Sequence, residues 1–152
     1  MQIKTALILS AGFGKRLLPL TNSIPKPLLE IKKKILLDIT INFVIQTGIK
    51  KIKINTFHLG EKIEDFLKTK NYEANIETVS DGKEILETGG GILNLIKNEK
   101  DDNFLCLNPD TIWNIKYLNI IDSMKKFYFE NKIKNLLMVV NKYKSFDKRF
   151  KG

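Results

Sequence analysis

The order of apolar and polar positions predicts strands and helices that alternate along the chain. Thr5 to Ser10 is a nearly unbroken apolar run of strand length, and a glycine-rich turn follows it. Such a run is typical of a strand that is buried on both faces of a parallel sheet. Leu37, Ile41 and Val44 recur at helical spacing within Leu36 to Gln46, and Gly48 then provides a C-terminal cap.

The same patterns continue to the end of the chain. Further strands are predicted at Lys51 to Phe57, Ile76 to Ser80, Phe104 to Asn108 and Leu136 to Val140. Further helices are predicted at Glu61 to Lys68, from Gly89-Gly90-Gly91 through Ile96, and at Tyr117 to Asn131. Strands separated by helices indicate repeated βαβ units in an α/β fold. We therefore predict one domain over residues 1–152, a three-layer α/β/α sandwich with a Rossmann-like, mostly parallel sheet of order 3-2-1-4-5. Ligands of such sheets bind at the carboxyl ends of the strands.

Composition excludes several classes of protein. The chain has 152 residues, of which 43% are hydrophobic, so it can bury a core. It contains neither a membrane span nor a signal peptide pattern, and we expect no membrane partner and a cytoplasmic location. Cys106 is the single cysteine and His58 the single histidine, which excludes an internal disulfide and a His-rich metal site. We expect Cys106 to be a small core residue.

The basic charge is distributed in a way that disfavours a nucleic-acid partner. The 26 basic residues exceed the acidic ones by nine, but 24 of them are lysines without interleaved aromatic residues. We expect scattered runs such as Lys50 to Lys53 to be solvated surface. In a chain that nearly always uses lysine, Arg16 is informative, because its planar fork can bind phosphate through two hydrogen bonds.

The densest chemical signal follows the first predicted strand. Residues 9–28 read L-S-A-G-F-G-K-R-L-L-P-L-T-N-S-I-P-K-P-L. The dinucleotide fingerprint would need glycine where Leu17 stands, and no Walker A loop is present. Instead, a glycine-rich turn that can bring backbone N–H groups to a phosphate ends at Arg16. Lys26 follows between two prolines, which restrict the backbone and help to aim its ammonium group.

These residues resemble the signature of the sugar nucleotidyltransferase family, with Ser10 in place of the first alanine of the signature. The similarity continues through residues 55–67, through L-E-T-G-G-G-I at residues 86–92 and through F-L-C-L-N-P-D-T-I-W at residues 104–113. It is greatest to N-acetylmuramate 1-phosphate uridylyltransferases and to mannose or heptose 1-phosphate guanylyltransferases. The resemblance implies the fold of nucleotide-diphospho-sugar transferases. It also implies transfer of a nucleoside monophosphate from UTP or GTP to a sugar 1-phosphate, with release of pyrophosphate.

The resemblance also assigns roles to individual residues. Arg16 and Lys26 are the expected catalytic cations. The expected nucleotide-binding residues are Ala11, Gly12, Phe13, Gly14, Lys15, Glu84 and Gly90. For the glycines at 89–91, contact with the base and helix packing alone are both open readings. Asn108 is a candidate contact of the sugar phosphate, and Trp113 is expected to pack rather than to stack on a ligand.

Asp110 is the expected Mg²⁺ ligand, since the family uses the matching aspartate for a metal. In the predicted sheet the first and fourth strands are neighbours, so Asp110 and the loop after the first strand should face one crevice. A hard cation held by one or two carboxylates and by phosphate oxygens suits this position. Pro109 replaces a residue that is small in relatives, and the position of Asp110 tolerates it.

The length implied by the family is greater than that of this chain, which corresponds to about the first two thirds of the family domain. The missing part would supply a second metal-binding aspartate and much of the sugar pocket. Three explanations stay open: a fragment, a truncated gene product, or a subunit completed by another polypeptide or by oligomerisation. An inactive remnant that binds nucleotide or a partner is the alternative function.

Overall fold

The helices and strands of the computed structural model, which describes residues 2–139, 141 and 143, alternate along the chain as the apolar pattern predicts. They are β1 (Thr5–Leu9), β2 (Glu30–Ile31), β3 (Lys34–Ile35), α1 (Leu36–Gln46), β4 (Lys51–Thr56), α2 (Gly60–Lys68), β5 (Asn75–Ser80), α3 (Glu87–Ile96), β6 (Phe104–Leu107) and α4 (Lys116–Glu130). Short 3-10 helices lie at Lys15–Leu17, Leu20–Asn22 and Lys26–Leu28. The bounds of α1 are those predicted from the sequence.

Four strands form one parallel sheet in the order β5-β4-β1-β6. This order confirms the first four positions of the predicted 3-2-1-4-5 sheet. The small strands β2 and β3 pair with each other as an antiparallel hairpin. Ile8 pairs with Ile54 on one side and with Leu107 on the other, so these three side chains share a face of the sheet.

Helices cover both faces of the sheet and give the predicted three layers. The face that carries Ile8 packs against α1, α2 and α4, which contribute Leu37, Ile63 and Ile121 to one buried apolar cluster. On the opposite face, α3 packs against β1 and β4, and its Leu95 is fully buried. No helix among the described residues is long and apolar enough to cross a membrane.

The face under α3 holds a buried ion pair, which corrects the expectation that Lys50 to Lys53 are all solvated. Lys53 is 4% exposed because it lies inside β4. Its Nζ atom lies 3.1 Å from Glu99 Oε1, and the Nζ atom of Lys51 lies 2.6 Å from Glu99 Oε2. The hydrogen bond from Lys51 and the charge of Lys53 lower the pKa of the Glu99 carboxyl.

The predicted fifth strand, Leu136 to Val140, is wrong over its described part. Residues 136–139 have no regular secondary structure, and Val140 lies outside the described residues. Leu137 and Val139 are each 82% exposed, so neither packs as a sheet residue would. In addition, α4 lies on the face of α1 and α2, whereas a right-handed connection outward from β6 to a parallel strand needs the opposite face.

The expectation that Cys106 is a core residue is also wrong, because its side chain is exposed. Cys106 pairs with Leu7, and its side chain therefore points to the face that α3 covers. Because α3 packs on β1 and β4, the outer strand β6 is left uncovered at this point. Partial burial raises the pKa of the Cys106 thiol to about 11, which keeps it protonated at neutral pH.

We predict that Glu99→Gln lowers the free energy of unfolding at pH 7 by about 2 kcal/mol, because it removes the nearer and buried carboxylate partner of the Lys53 ammonium and leaves only the half-exposed Glu77 at 3.6 Å. The stabilisation by Glu99 is complete above its unfolded pKa of about 4.3. It is lost as the pH falls through the lower pKa of the folded state, so wild type and variant should converge in acid. Urea unfolding at pH 7 and at acid pH measures both effects.

Glu130→Gln is the matched control. Glu130 forms an exposed pair with Lys126 at 3.8 Å at the end of α4, and its loss should cost less than about 0.5 kcal/mol. Equal losses for the two variants would contradict the assignment of a buried ion pair.

Candidate active site

The loop that follows β1, residues 10–16, is shaped by a left-handed glycine. Gly14 has φ +65°, and a Cβ atom there would lie 2.8 Å from Thr21 Cγ2. The hydroxyl of Thr21, which is fully buried, donates a hydrogen bond of 3.1 Å to the Gly14 carbonyl oxygen. Both the backbone angle and the close approach therefore require glycine. We call residues 10–16 the β1 loop.

The β1 loop and the segment that follows it are held by contacts with His58 and Phe57. The Nε2 atom of His58 lies 2.9 Å from the Thr21 carbonyl oxygen, and because that oxygen only accepts, the ring nitrogen donates. The ring of Phe13 packs edge-on against Phe57 at 5.6 Å and against His58 at 5.5 Å. His58 thus has a structural partner at Thr21.

Lys26 and Asp110 meet although 84 positions separate them in sequence. Lys26 begins a 3-10 helix between the buried Pro25 and Pro27, while Asp110 follows the end of β6. The Nζ atom of Lys26 donates to Asp110 Oδ2 at 2.5 Å, and both side chains are partly exposed, at 28% and 39%. The structure therefore joins the segment after β1 to the end of β6, as the predicted strand order requires.

Two further cations, Lys15 and Arg16, lie at the end of the β1 loop. Arg16 is exposed within the 3-10 helix Lys15–Leu17 and makes no ion pair with any residue that the structure describes. The Nζ atom of Lys15 lies 5.3 Å above the Phe13 ring, an exposed cation–π contact. Asn108 is exposed directly after β6 and precedes the buried Pro109. Four cationic or amide side chains thus surround the carboxyl ends of β1 and β6.

Glu84 and Gly90 lie at the carboxyl end of β5, in and after the segment 81–86, which we call the β5 loop. Glu84 is exposed, and Gly90 lies in the first turns of α3, which begins at Glu87 rather than at the glycines. A Cβ atom at Gly90 would lie 2.9 Å from Leu86 Cβ, and one at Gly91 would lie 2.7 Å from Asn55 Nδ2. Close packing therefore accounts for glycine at both positions, and contact with a base stays a prediction.

A buried polar network at the ends of β4 and β5 was missed by the sequence analysis. Asn55 is 2% exposed, and its Oδ1 atom accepts a hydrogen bond of 2.8 Å from the backbone N–H of Ser10. Its Nδ2 atom donates to Asp81 Oδ1 at 3.2 Å, and Asp81 Oδ2 accepts from the Leu86 N–H at 3.3 Å. Only their positions could have pointed to them, since Asn55 lies near the end of the predicted strand Lys51 to Phe57 and Asp81 directly follows the predicted strand Ile76 to Ser80.

The residues around Asp110 fit a magnesium ion whose ligands would be the Asp110 carboxylate and the oxygens of a polyphosphate. Asp110 offers hard carboxylate oxygens at an exposed position, one of which is paired with Lys26. Within residues 2–139, 141 and 143 no group of three or more His, Cys, Asp and Glu side chains could hold a metal. The described side chains alone thus do not form a complete metal cage, and phosphate oxygens of a ligand would complete the coordination.

Trp113 packs as predicted rather than standing free as a stacking platform. Its ring is stacked on Phe43 of α1 at 4.8 Å and meets Tyr117 of α4 edge-on at 5.3 Å. These contacts fasten the segment after Asp110 to two helices on the apolar face of the sheet.

Comparison with known proteins agrees with the fold and identifies the family. The profile of the Nucleotidyl transferase family matches residues 5–147. The chain belongs to this family. Over 113 residues it is 37% identical to the N-acetylmuramate alpha-1-phosphate uridylyltransferase of Neisseria meningitidis, a match that covers 74% of this chain and 49% of that protein. The family membership expected from the signature at residues 10–28 is thereby confirmed.

A second relative and a solved structure are also similar to this chain. Over 126 residues the chain is 29% identical to the mannose-1-phosphate guanylyltransferase catalytic subunit beta of Danio rerio, which covers 81% of this chain and 34% of that protein. A UDP-glucose pyrophosphorylase structure complexed with UDP-glucose superposes with a TM-score of 0.73 at 22% identity, over 86% of this chain and 55% of that one. This superposition shows the nucleotide-diphospho-sugar transferase fold. The chain thus spans about half of the uridylyltransferase and of the superposed structure, and about a third of the guanylyltransferase subunit.

We predict that Gly14→Ala lowers the free energy of unfolding by about 2–3 kcal/mol, because it combines left-handed strain with the clash against Thr21. Gly48→Ala is the control, since Gly48 has φ +84° but open space around a new Cβ atom. It should cost only about 1 kcal/mol of strain. Chemical unfolding of both variants measures the difference, and an equal loss would contradict the close packing of the β1 loop.

A second pair of glycine variants tests the packing of α3. Gly91→Ala should destabilise the fold by about 1–3 kcal/mol because its Cβ atom meets the amide of buried Asn55. Gly89→Ala should be neutral or stabilising, since its Cβ atom meets nothing within 4 Å and alanine favours a helix by about 1 kcal/mol. We expect the thermal unfolding midpoint of Gly91→Ala to lie below that of Gly89→Ala. The reverse order would exclude a close contact between Gly91 and Asn55.

Proposed function

We propose that this chain transfers a nucleoside monophosphate from a nucleoside triphosphate to a sugar 1-phosphate. The observation that carries the proposal is the meeting of Lys26 and Asp110 beside the glycine-containing β1 loop. A cation, a carboxylate and a left-handed backbone turn are the groups that positioning of a triphosphate requires. Membership of the Nucleotidyl transferase family supports the same conclusion.

The relatives support UTP or GTP as the nucleotide and a hexose-type sugar 1-phosphate as the acceptor. One relative is named for uridylyl transfer to N-acetylmuramate 1-phosphate, and the other for guanylyl transfer to mannose 1-phosphate. The greater identity to the first favours UTP and an amino-sugar acid phosphate. A cytoplasmic location stays a prediction.

The proposed reaction is a direct displacement at the α-phosphorus. An oxygen of the sugar 1-phosphate attacks this atom and forms the new P–O bond. The bond from the α-phosphorus to the bridging oxygen breaks, and pyrophosphate leaves with the electron pair. No covalent enzyme intermediate is needed, which agrees with a chain whose lone cysteine is protonated and whose lone histidine donates to Thr21.

The side chains would act by positioning and by neutralising charge. Lys26 would bind a non-bridging oxygen of the α-phosphate, and Arg16 would bind the leaving phosphates. The backbone N–H groups of the β1 loop would hold the same phosphates, while Glu84 and Gly90 would adjoin the base and Asn108 the sugar phosphate. Asp110 would hold magnesium, which when bound neutralises negative charge on the triphosphate.

Pyrophosphate release from UTP or GTP in the presence of magnesium and a sugar 1-phosphate tests the proposal. We expect N-acetylmuramate 1-phosphate or mannose 1-phosphate to support release by the wild-type chain. Asp110→Ala and Lys26→Ala should each lower kcat/KM by at least about a hundredfold, because each removes a charge that acts on the transferred group.

Asp65→Ala is the matched control for Asp110→Ala. Asp65 pairs with Lys68 at 2.9 Å on the exposed surface of α2, and its loss should leave the rate unchanged. Absence of release from wild type, with either nucleotide, would instead favour a remnant that binds nucleotide without catalysis. Full activity of Asp110→Ala would refute the assigned site.

A further inference from the structure

The side chain of Asn55 connects the β1 loop and the β5 loop, which follow different strands. One of its atoms accepts the backbone N–H of Ser10 at the start of the β1 loop, and another donates to Asp81 at the start of the β5 loop. Asp81 in turn accepts the backbone N–H of Leu86 at the end of the β5 loop. A continuous set of three hydrogen bonds therefore runs from one loop to the other.

Burial makes these hydrogen bonds costly to break. Asn55 is 2% and Asp81 7% exposed, so neither can exchange its partner for water without opening the site. The backbone of α3 at Gly91 also packs closely against Asn55, since a Cβ atom there would lie 2.7 Å from the amide nitrogen of Asn55. The position of Asn55 is thus fixed from three directions: by the β1 loop, by the β5 loop and by α3.

The proposed function assigns different halves of the nucleotide to the two loops, and the present inference rests on it. The β1 loop would hold the triphosphate, and the β5 loop with the start of α3 would adjoin the base. We infer that Asn55 and Asp81 are positioning residues that set the distance between these two halves, so that base and triphosphate bind as one unit. Neither residue needs to touch the nucleotide for this role.

A merely structural role and a positioning role predict different binding results. A structural role would lower the stability of the fold and leave the affinities of the folded protein unchanged. A positioning role would weaken the cooperation between the two halves of the ligand while each loop still binds its own half. We define the base advantage as the Kd of inorganic tripolyphosphate divided by the Kd of the preferred nucleotide, UTP or GTP.

Calorimetric titration of the folded chain in magnesium buffer at 25 °C measures the base advantage. We expect Asn55→Ala and Asp81→Asn to lower it by about tenfold, while the affinity for tripolyphosphate stays within about twofold. Asp81→Asn is the milder change, because it keeps the size of the side chain, and it serves if Asn55→Ala does not fold. Asn42→Ala removes an exposed amide on α1 and should leave the base advantage unchanged.

Exchange of the two residues provides a rescue. In the double variant Asn55→Asp/Asp81→Asn, the new aspartate can accept from the Ser10 N–H and from the new asparagine amide. The new asparagine oxygen can accept from the Leu86 N–H, so all three hydrogen bonds are possible again. We therefore expect the double variant to recover most of the base advantage, whereas Asn55→Asp alone, which places two carboxylates face to face, should lose it.

The outcomes separate this inference from the proposed function. A base advantage that persists in Asn55→Ala and Asp81→Asn, or that falls without recovery in the double variant, overturns the positioning role alone. An affinity for tripolyphosphate that falls as much as the affinity for nucleotide also overturns it, since the loops would then not be coupled. A wild-type chain that binds neither UTP nor GTP more tightly than tripolyphosphate overturns the proposed function and, with it, this inference.

Discussion

Strand β1 pairs in parallel register with β4 on one side and with β6 on the other, and the site depends on this arrangement. Parallel strands end at the same edge of a sheet, so every loop that follows them opens toward one crevice. Ser10 and Lys26 come after β1, Asn55 is the next-to-last residue of β4, and Asp110 comes after β6. Because the sheet is held by helices on both faces, side chains that are distant in sequence can form short hydrogen bonds there.

The charge distribution follows from the same fold. The excess of basic residues is partly neutralised by pairs that cross between elements, such as Lys53 with Glu99 under α3 and Lys26 with Asp110 at the crevice. Arg16 stands exposed at the β1 loop and has no acidic partner among the residues that the structure describes. A polyanionic ligand would meet the paired Lys26 and also Lys15 and Arg16, which make no ion pair with any described residue, at the same edge of the sheet. This concentrates positive potential where a triphosphate is proposed to bind.

Local sequence patterns predicted most of the helices and strands, whereas side-chain contacts between distant residues could not be predicted from them. The helix Leu36–Gln46 was predicted with its observed bounds because its apolar stripe and its cap are both local. The approach of Lys26 to Asp110 agrees with the strand order, which a regular βαβ pattern nearly fixes. Cys106 was placed wrongly because an apolar run does not reveal which face of an edge strand stays uncovered. The Asn55–Asp81 pair escaped because 26 residues separate its members, and because either residue alone is typical of an exposed loop.

The central claim is that the β1 loop, Lys26 and Asp110 form one triphosphate site. A crystal structure of the chain with a non-hydrolysable analogue of UTP or GTP and Mn²⁺ tests it most directly, since manganese is located by its anomalous signal. We expect the metal beside the Asp110 carboxylate and Lys26 Nζ within hydrogen-bonding distance of the α-phosphate. A nucleotide bound elsewhere, or one bound while the Lys26–Asp110 pair stays intact and no metal lies at Asp110, would contradict it.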